Sequence, residues 1–305
     1  MVWLKRAKAV AEGVLGVAPA PGGLVLACAQ RRAGQVSLPV CEFMAGTPAS
    51  LGEALRERVE AAGLGKLPVN LLLPAADYQL LLIERPAVPP AELRAAVRWR
   101  IRELVSEPLD GLVVDAFALP DDAYRGRTPM AYCAVLARAR MQALAELVQG
   151  AGLTLASIDI PEMALRNLGL LAGAEGQNLA VLQLNARDGL ICVQNGADLY
   201  MTRRIERGVD NRGEEAAQLA LEIQRSLDYF ESQLGKGYLG RVLLLPMAAE
   251  GEALLAELAA RLSVRVQALA VDDLFPGSPL LALPPAQQAL CLPAVGAALR
   301  QESRG

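Results

Sequence analysis

The 305-residue sequence contains no histidine. That absence removes Ser-His-Asp and Cys-His nucleophile systems, and with them the imidazole ligands of most catalytic zinc sites. Cysteine is sparse and unpatterned. Cys28, Cys41, Cys133, Cys192 and Cys291 are far apart, and no C-x-x-C pair suggests a structural metal or a redox centre. Most lie inside apolar runs such as LVLACAQ, AYCAVLA and GLICVQN, the setting of buried reduced thiols, and a cytoplasmic compartment is expected from them. A basic excess is missing too: the formal net charge is -3, so nucleic acid is not an expected partner. There is also no clean membrane span. The uncharged stretch 13–30 carries Pro19, Pro21 and four glycines, and the stretch 274–299 carries five prolines, so neither keeps a lipid-exposed helix hydrogen-bonded throughout. The basic start VWLKRAK is followed by Glu12 where a signal peptide needs apolar residues, so secretion is not expected.

What is present is a globular composition, 53% hydrophobic and 21% charged, in a chain long enough for about two domains. Residues 13–40 read as two or three strands, GVLGV and LVLACAQ among them, around a Pro-Gly turn. Leu51, Leu55 and Val59 follow at helical spacing up to Gly63. Two strands come next, at 68–73 and 79–83. Pro89 and Pro90 then open a helix with Leu93, Val97, Ile101 and Leu104 on one face, closed by Pro108. A hairpin at 111–119 and 130–137 and a helix through Met141, Leu144 and Val148 complete a small α+β unit at about 75–158.

A second round begins at Asn178. NLAVLQL, GLICVQNG and DLYMTRRI are three successive strands, with turns at 187–189 and at Asn195-Gly196. A long helix runs from about Glu214 to Gly235, then come the apolar strand RVLLL, a helix at 251–262, the strand VRVQAL and a final helix near 294–300. The repeated order of strands, helix, apolar strand and helix points to an internally duplicated α/β chain. Such folds place ligands at the carboxyl ends of strands, in the turns after GVLGV, NLAVLQL and RVLLL.

Five segments carry a resemblance: residues 67–117, residues 135–168 (VLARARMQALAELVQGAGLTLASIDIPEMALRNL), LALEIQRSLDYFESQLG, RVLLLP and the terminal LCLPAVGAALR. In this order they resemble the PilM-like family of type IV pilus assembly proteins, in particular its MshI branch from mannose-sensitive haemagglutinin (MSHA) pili. FtsA, the cell-division actin relative, is a more distant cousin. The resemblance implies an actin-like, FtsA/PilM-type, duplicated two-lobed α/β fold. Its first lobe is expected at 1–74 plus 159–177, the inserted domain at 75–158 and the second lobe at 178–305, with a subdomain at about 205–240. It also implies a role on the cytoplasmic side of the inner membrane, within the pilus assembly machinery. There the partner is the cytoplasmic N-terminal tail of a PilN-like bitopic protein, and a homo-oligomer is left open.

An actin-like ATPase holds Mg-bound water with acidic residues in two glycine-bearing turns and cradles phosphate with backbone amides. In the first turn the resemblance aligns a G-I-D-I-G-S pattern with Gly16-Val17-Ala18-Pro19-Ala20-Pro21, so Ala18 stands at the aspartate and Pro19 removes an amide donor. The second, D-I-G, aligns with Gln183-Leu184-Asn185, and the glycine pair that admits adenosine aligns with Pro246-Met247. Asp188, beside Gly189, offers a shifted turn, but a solvated Asp-Gly turn between two strands is the favoured reading and needs no ligand. These positions are expected to be degenerate counterparts, and no cofactor is expected; bound ATP and Mg remain the alternative.

For the partner, Trp99 and Arg102 on the helix after Pro90, and Gln79, Leu81 and Ile83 on the preceding strand, are candidate contacts; packing of Trp99 against another domain is the alternative. Trp3, Lys5, Arg6 and Lys8 could touch an anionic membrane but are too sparse to anchor it. Arg203, Arg204 and Arg207 are expected to pair with Glu206, Asp210, Glu214 and Glu215 rather than to bind phosphate. The expected role is thus a non-enzymatic scaffold. The alternatives are a nucleotide-regulated ATPase of the same fold and the cytoplasmic domain of a GspL-type secretion protein; the latter is disfavoured because that family continues into a transmembrane helix and this sequence stops at Gly305.

Overall fold

The computed structural model describes residues 13–124, 128–209, 214–234, 237–247 and 251–301. In chain order the elements are β1 (Val14–Ala20), β2 (Gly23–Arg32), β3 (Gln35–Ala45), α1 (Pro48–Ala62), β4 (Pro68–Leu72), β5 (Tyr78–Glu84), α2 (Leu93–Arg100), β6 (Leu112–Ala118) and β7 (Met130–Ala137). Then follow α3 (Arg138–Gly150), β8 (Thr154–Asp159), α4 (Pro161–Leu171), β9 (Asn178–Leu184), β10 (Gly189–Asn195), β11 (Asp198–Ile205) and α5 (Glu214–Tyr229). The chain finishes with β12 (Arg241–Leu244), α6 (Gly251–Arg261), β13 (Val266–Ala268), the one-turn α7 (Val271–Leu274) and α8 (Pro285–Ala298). Among the described residues no helix is long and apolar enough to cross a membrane. Trp3, Lys5, Arg6 and Lys8 lie outside the described residues.

The chain divides into two compact units, one of residues 1–74, 143–164 and 271–305, the other of residues 75–142 and 165–270. The first is built on a five-stranded sheet of order β3-β2-β1-β4-β8, in which β1 to β3 form an antiparallel meander and β4 and β8 run parallel to β1. Residues 23–30 of β2 are buried throughout, as an apolar run in a central strand must be. The β1–β2 link is a two-residue turn, Pro21-Gly22, with Gly22 at φ +76° where a side chain would be strained. Helix α1 starts with Pro48 in its first turn and Thr47 N–H donating to Ser50 Oγ at 3.1 Å. It stops at Gly63, left-handed at φ 65°, and buries Leu51, Leu55 and Val59.

Helix α8 belongs with this first sheet, against β1, β2 and β4, rather than with the chain's second half, from which the sequence pattern did not separate it. It is apolar all round, burying Cys291, Leu292, Val295 and Ala298, so it can be covered on every side. It also begins nine residues before the expected Ala294: Pro285 occupies the first turn, where its missing N–H costs nothing, and Pro293 is accommodated inside. Residues 154–158, expected at the end of the inserted unit, form β8 together with Asp159, at the edge of the first sheet, with Leu72 opposite Asp159. Two glycines permit the close packing. A Cβ on Gly16 would lie 1.9 Å from Ala294 O, and one on Gly296 would lie 2.3 Å from Ala164 O. A buried polar knot adds to it: Asn70 Nδ2 donates to Ala297 O at 3.0 Å and to Asp159 Oδ2 at 3.3 Å, and Arg300 Nη1 pairs with the same Oδ2 at 3.0 Å.

The second unit repeats the topology. Its five-stranded sheet has the order β11-β10-β9-β12-β13, again an antiparallel meander followed by two strands parallel to its first. The internal duplication expected from the sequence is therefore present strand for strand. Leu219, Ile223, Leu227 and Phe230 of α5 and its terminal turn share one core with Ile191, Val193, Met201 and Ile205 of the sheet. At about 1.5–3 kcal/mol for each large apolar side chain removed from water, that core is the main stabilising term of this unit. The same unit holds the inserted three-stranded antiparallel sheet, of order β5-β7-β6. Helix α2 lies on it through Leu93, Val97 and Ile101, which pack with Ile83, Val114, Cys133 and Val135.

Candidate functional site

The first of the three expected turns, in the first unit, is mostly strand. Ala18 and Pro19 pair with Val25 and Leu24, and Ala18 is buried at 4% exposure. The reversal itself is Pro21-Gly22, so prolines occupy two of the positions from which an anion-cradling turn would present amide donors. Gly16, the first glycine of the aligned pattern, lies under α8, where it admits the helix backbone.

The second and third turns lie in the second unit. Gln183 is half-buried within β9, opposite Leu190. The link from β9 to β10 is closed on itself: Asn185 N–H donates to Asp188 O at 2.8 Å, and Asn185 Nδ2 donates to Asp188 Oδ1 at 2.7 Å. Asp188 thereby serves as a turn-forming acceptor on the surface. Residues 208–209 cover this turn, since a Cβ on Gly208 would stand 2.4 Å from Ala186 O and from Arg187 N, and Val209 N–H donates to Asn185 O at 2.9 Å. No sequence motif signals that cover. β12 runs parallel to β9 and continues through Leu245 N–H to Leu182 O at 2.9 Å, which brings Pro246 and Met247 to the same sheet end as Gln183 and Asn185. Pro246 is half-buried and Met247 is 5% exposed, its side chain in the α5 core. The side chains of both fill space that a glycine pair would leave open to adenosine. Among the described residues no group of three or more metal-ligating side chains occurs.

The candidate partner surface divides. Ile83 is 7% exposed and Leu81 half-buried; both pack into the core beneath α2, because alternate residues of β5 face that helix. They are corrected here from candidate contacts to core. Trp99 is 73% exposed, with Leu104 at 55% and Arg102 exposed close by. The apolar stripe Leu93, Val97, Ile101 turns Trp99 outward by its spacing, and Arg94 and Arg98 hold the helix to Val114 O and Leu109 O. Gln79 is exposed on β5, which is an edge strand.

Of the pairing expected for Arg203, Arg204 and Arg207, only the part on Glu206 falls on described residues, and there it is not observed. Arg204 donates to Ala75 O at 2.6 Å and lies over the Tyr78 ring at 5.3 Å. Glu206 pairs with none of the three; its N–H donates to Glu222 Oε1 at 3.0 Å. Asp210 and the side chains of Glu214 and Glu215 lie outside the described residues. All five cysteines are free and buried. Burial pushes the thiols of Cys28 and Cys133 up to about 11. Cys41 and Cys291 hydrogen-bond to each other, which raises the former and lowers the latter.

No protein-family model matches the sequence, and no curated protein sequence matches it. Solved structures do. A chain from a PilM-PilN type IV pilus biogenesis complex superposes with a TM-score of 0.71 at 20% identity, covering 95% of this chain and 98% of that one. The cytoplasmic domain of EpsL, an inner-membrane component of the type II secretion system of Vibrio cholerae, gives 0.52 at 15% identity, over 95% and 97%. A Bacteroides thetaiotaomicron protein of unknown function with an actin-like ATPase fold gives 0.52 at 11% identity, over 95% and 98%. With its two sheets of matching order, each a meander followed by two parallel strands, the chain has the actin-like fold.

Proposed function

We propose that this chain is a non-enzymatic actin-like scaffold of type IV pilus biogenesis or of a related secretion machine. The observation that carries the reading is the likeness to the PilM-PilN complex chain, which runs over nearly the full length of both molecules. In this reading the chain works at the cytoplasmic face of the inner membrane and captures the cytoplasmic N-terminal tail of a PilN-like bitopic protein. The sequence resemblance assigns it to the MSHA type of pilus. The turn chemistry supports a scaffold over an ATPase: a buried alanine, prolines and a self-closed turn under Gly208 stand where carboxylates and amide donors would be needed, and a core methionine stands where adenosine would need open space.

Trp99 is the expected anchor for the tail, since a large exposed aromatic beside an arginine matches the composition of interface hot spots. The test is capture of a detergent-solubilised PilN-like protein, full length or lacking its tail, by the wild-type chain and by Trp99→Ala. The tail-less form is expected not to bind. Trp99→Ala is expected to lose roughly 10- to 100-fold in affinity with an unchanged melting temperature. Equal capture of the tail-less form would overturn the partner assignment, and equal binding by Trp99→Ala would move the site elsewhere. Stoichiometric phosphate release from Mg-ATP would overturn the non-enzymatic part.

A further inference from the structure

The second unit holds a concave pocket of ≈ 680 Å³ formed by the end of β11 and one face of α5, lined by Arg203, Arg204, Arg207, Gln218, Glu222 and Arg225, with Glu206 and Leu221 at its wall. Four guanidinium groups against two carboxylates give the described lining residues a charge of +2, in a chain whose net charge is -3. The carboxylates do not neutralise the arginines. Glu222 accepts from the Glu206 backbone, and Arg203, Arg207 and Arg225 make no hydrogen bond or ion pair among the described residues. Arg204 is fixed in place by Ala75 O and the Tyr78 ring, so one guanidinium is pre-organised beside three whose side chains make no bond among the described residues.

We propose that this groove binds an acidic segment of a partner protein, through carboxylate side chains that pair individually with Arg203, Arg207 and Arg225. Guanidinium matches a carboxylate in bidentate geometry, and separated guanidiniums suit separated carboxylates better than one compact anion. The rest of the lining fits a peptide. Leu221, 50% exposed, offers apolar contact and Gln218 an amide, neither of which a compact inorganic anion would use. The site shares no residue with the Trp99 surface and does not depend on the tail reading.

The test uses the full chain and a fluorescein-labelled dodecapeptide alternating Glu with Leu, its Gln-for-Glu analogue, and sodium tripolyphosphate as competitor, read by anisotropy at low and moderate salt. The acidic peptide is expected to bind at least ten-fold tighter than the Gln analogue. The triple variant Arg203→Gln, Arg207→Gln, Arg225→Gln is expected to lose at least ten-fold at an unchanged melting temperature, because these side chains make no bonds among the described residues. A control with the same charge change elsewhere, Arg32→Gln, Arg56→Gln, Arg261→Gln, is expected to lose less than three-fold. Equal losses in both triple variants would reduce the effect to bulk charge and overturn the site. Tripolyphosphate binding the wild type more tightly than the peptide does, and lost in the groove variant, would overturn the peptide assignment in favour of a small anion.

Discussion

Replacing Gly16 by alanine tests whether this glycine is kept for packing or for a phosphate turn. The added Cβ would stand 1.9 Å from Ala294 O and 2.9 Å from Ala294 C and Ala298 N, all backbone atoms that cannot rotate away. Reaching ordinary contact near 3.4 Å requires β1 and α8 to part by about 1.5 Å. Overpacking of a tight core costs about 1–3 kcal/mol. The same displacement acts on Ala297, whose carbonyl accepts from Asn70 Nδ2 at 3.0 Å, so that fully buried amide would move out of hydrogen-bond range for roughly another 1–3 kcal/mol. A total near 2–6 kcal/mol corresponds to a melting temperature lower by about 4–24 °C. Thermal unfolding of the full chain by circular dichroism gives the shift, and amide exchange should show protection lost first in α8 and β1. A melting temperature within about 1 °C of wild type, with α8 protection intact, would refute the close-packing role.

Restoring a carboxylate by Ala18→Asp is expected to give no calorimetric ATP signal up to millimolar nucleotide and Mg, and to destabilise by about 2 kcal/mol or more, because residue 18 is a paired, 4% exposed strand position; micromolar binding would show that one acid is all the turn lacks. Arg300→Met keeps the apolar stem but leaves Asp159, 6% exposed, without its cation; with Arg300 itself 37% exposed the expected cost is only about 1–2 kcal/mol, read as a lower urea midpoint and largely recovered by Arg300→Lys. The thiols of Cys28 and Cys133 are raised to about 11 by burial, so above their ordinary range the unfolded chain ionises first. Stability is full below about pH 9 and falls towards pH 11, by about 2–3 kcal/mol per thiol; the Cys28→Ala, Cys133→Ala variant should flatten that fall in urea titrations, and an unchanged slope would contradict it.

The duplication could be read from the sequence because both rounds state their strands in the same local terms: an apolar run, a tight turn of Pro-Gly or Asn-Gly, and another apolar run, as in GVLGV to LVLACAQ and GLICVQNG to DLYMTRRI. Leu51, Leu55 and Val59 located α1 for the same reason, since periodicity is a local property. The assignment of segments to sheets is not local. Residues 154–159 are half polar because β8 is an edge strand, and nothing in TLASID names β4 as its neighbour. Helix α8 was hidden twice, by a proline that its first turn tolerates and by an apolar surface without a polar face to give a period. At the partner surface, the period correctly turned Trp99 away from the Val97 stripe, but strand alternation alone did not say which face of β5 meets α2, and Ile83 went to the core.

Where the resemblance expects acids and glycines in three turns, the structure shows what the residues present there do. Ala18 and Pro19 extend β1 into a two-residue hairpin, Asn185 and Asp188 close their own turn, Met247 fills the α5 core, and Gly208 brings a second stretch of backbone onto Ala186 and Arg187. Each replacement is now part of the packing of its own unit, so reversing it costs stability before it yields a ligand contact. Gly208 makes the distinction measurable. Replacing it by alanine would push a Cβ to within 2.4 Å of two backbone atoms, and should lower the melting temperature while leaving nucleotide binding absent. If opening the turn this way instead produced ATP binding, the cover would be a closed gate over a working site, and the chain would have to be read as a regulated ATPase.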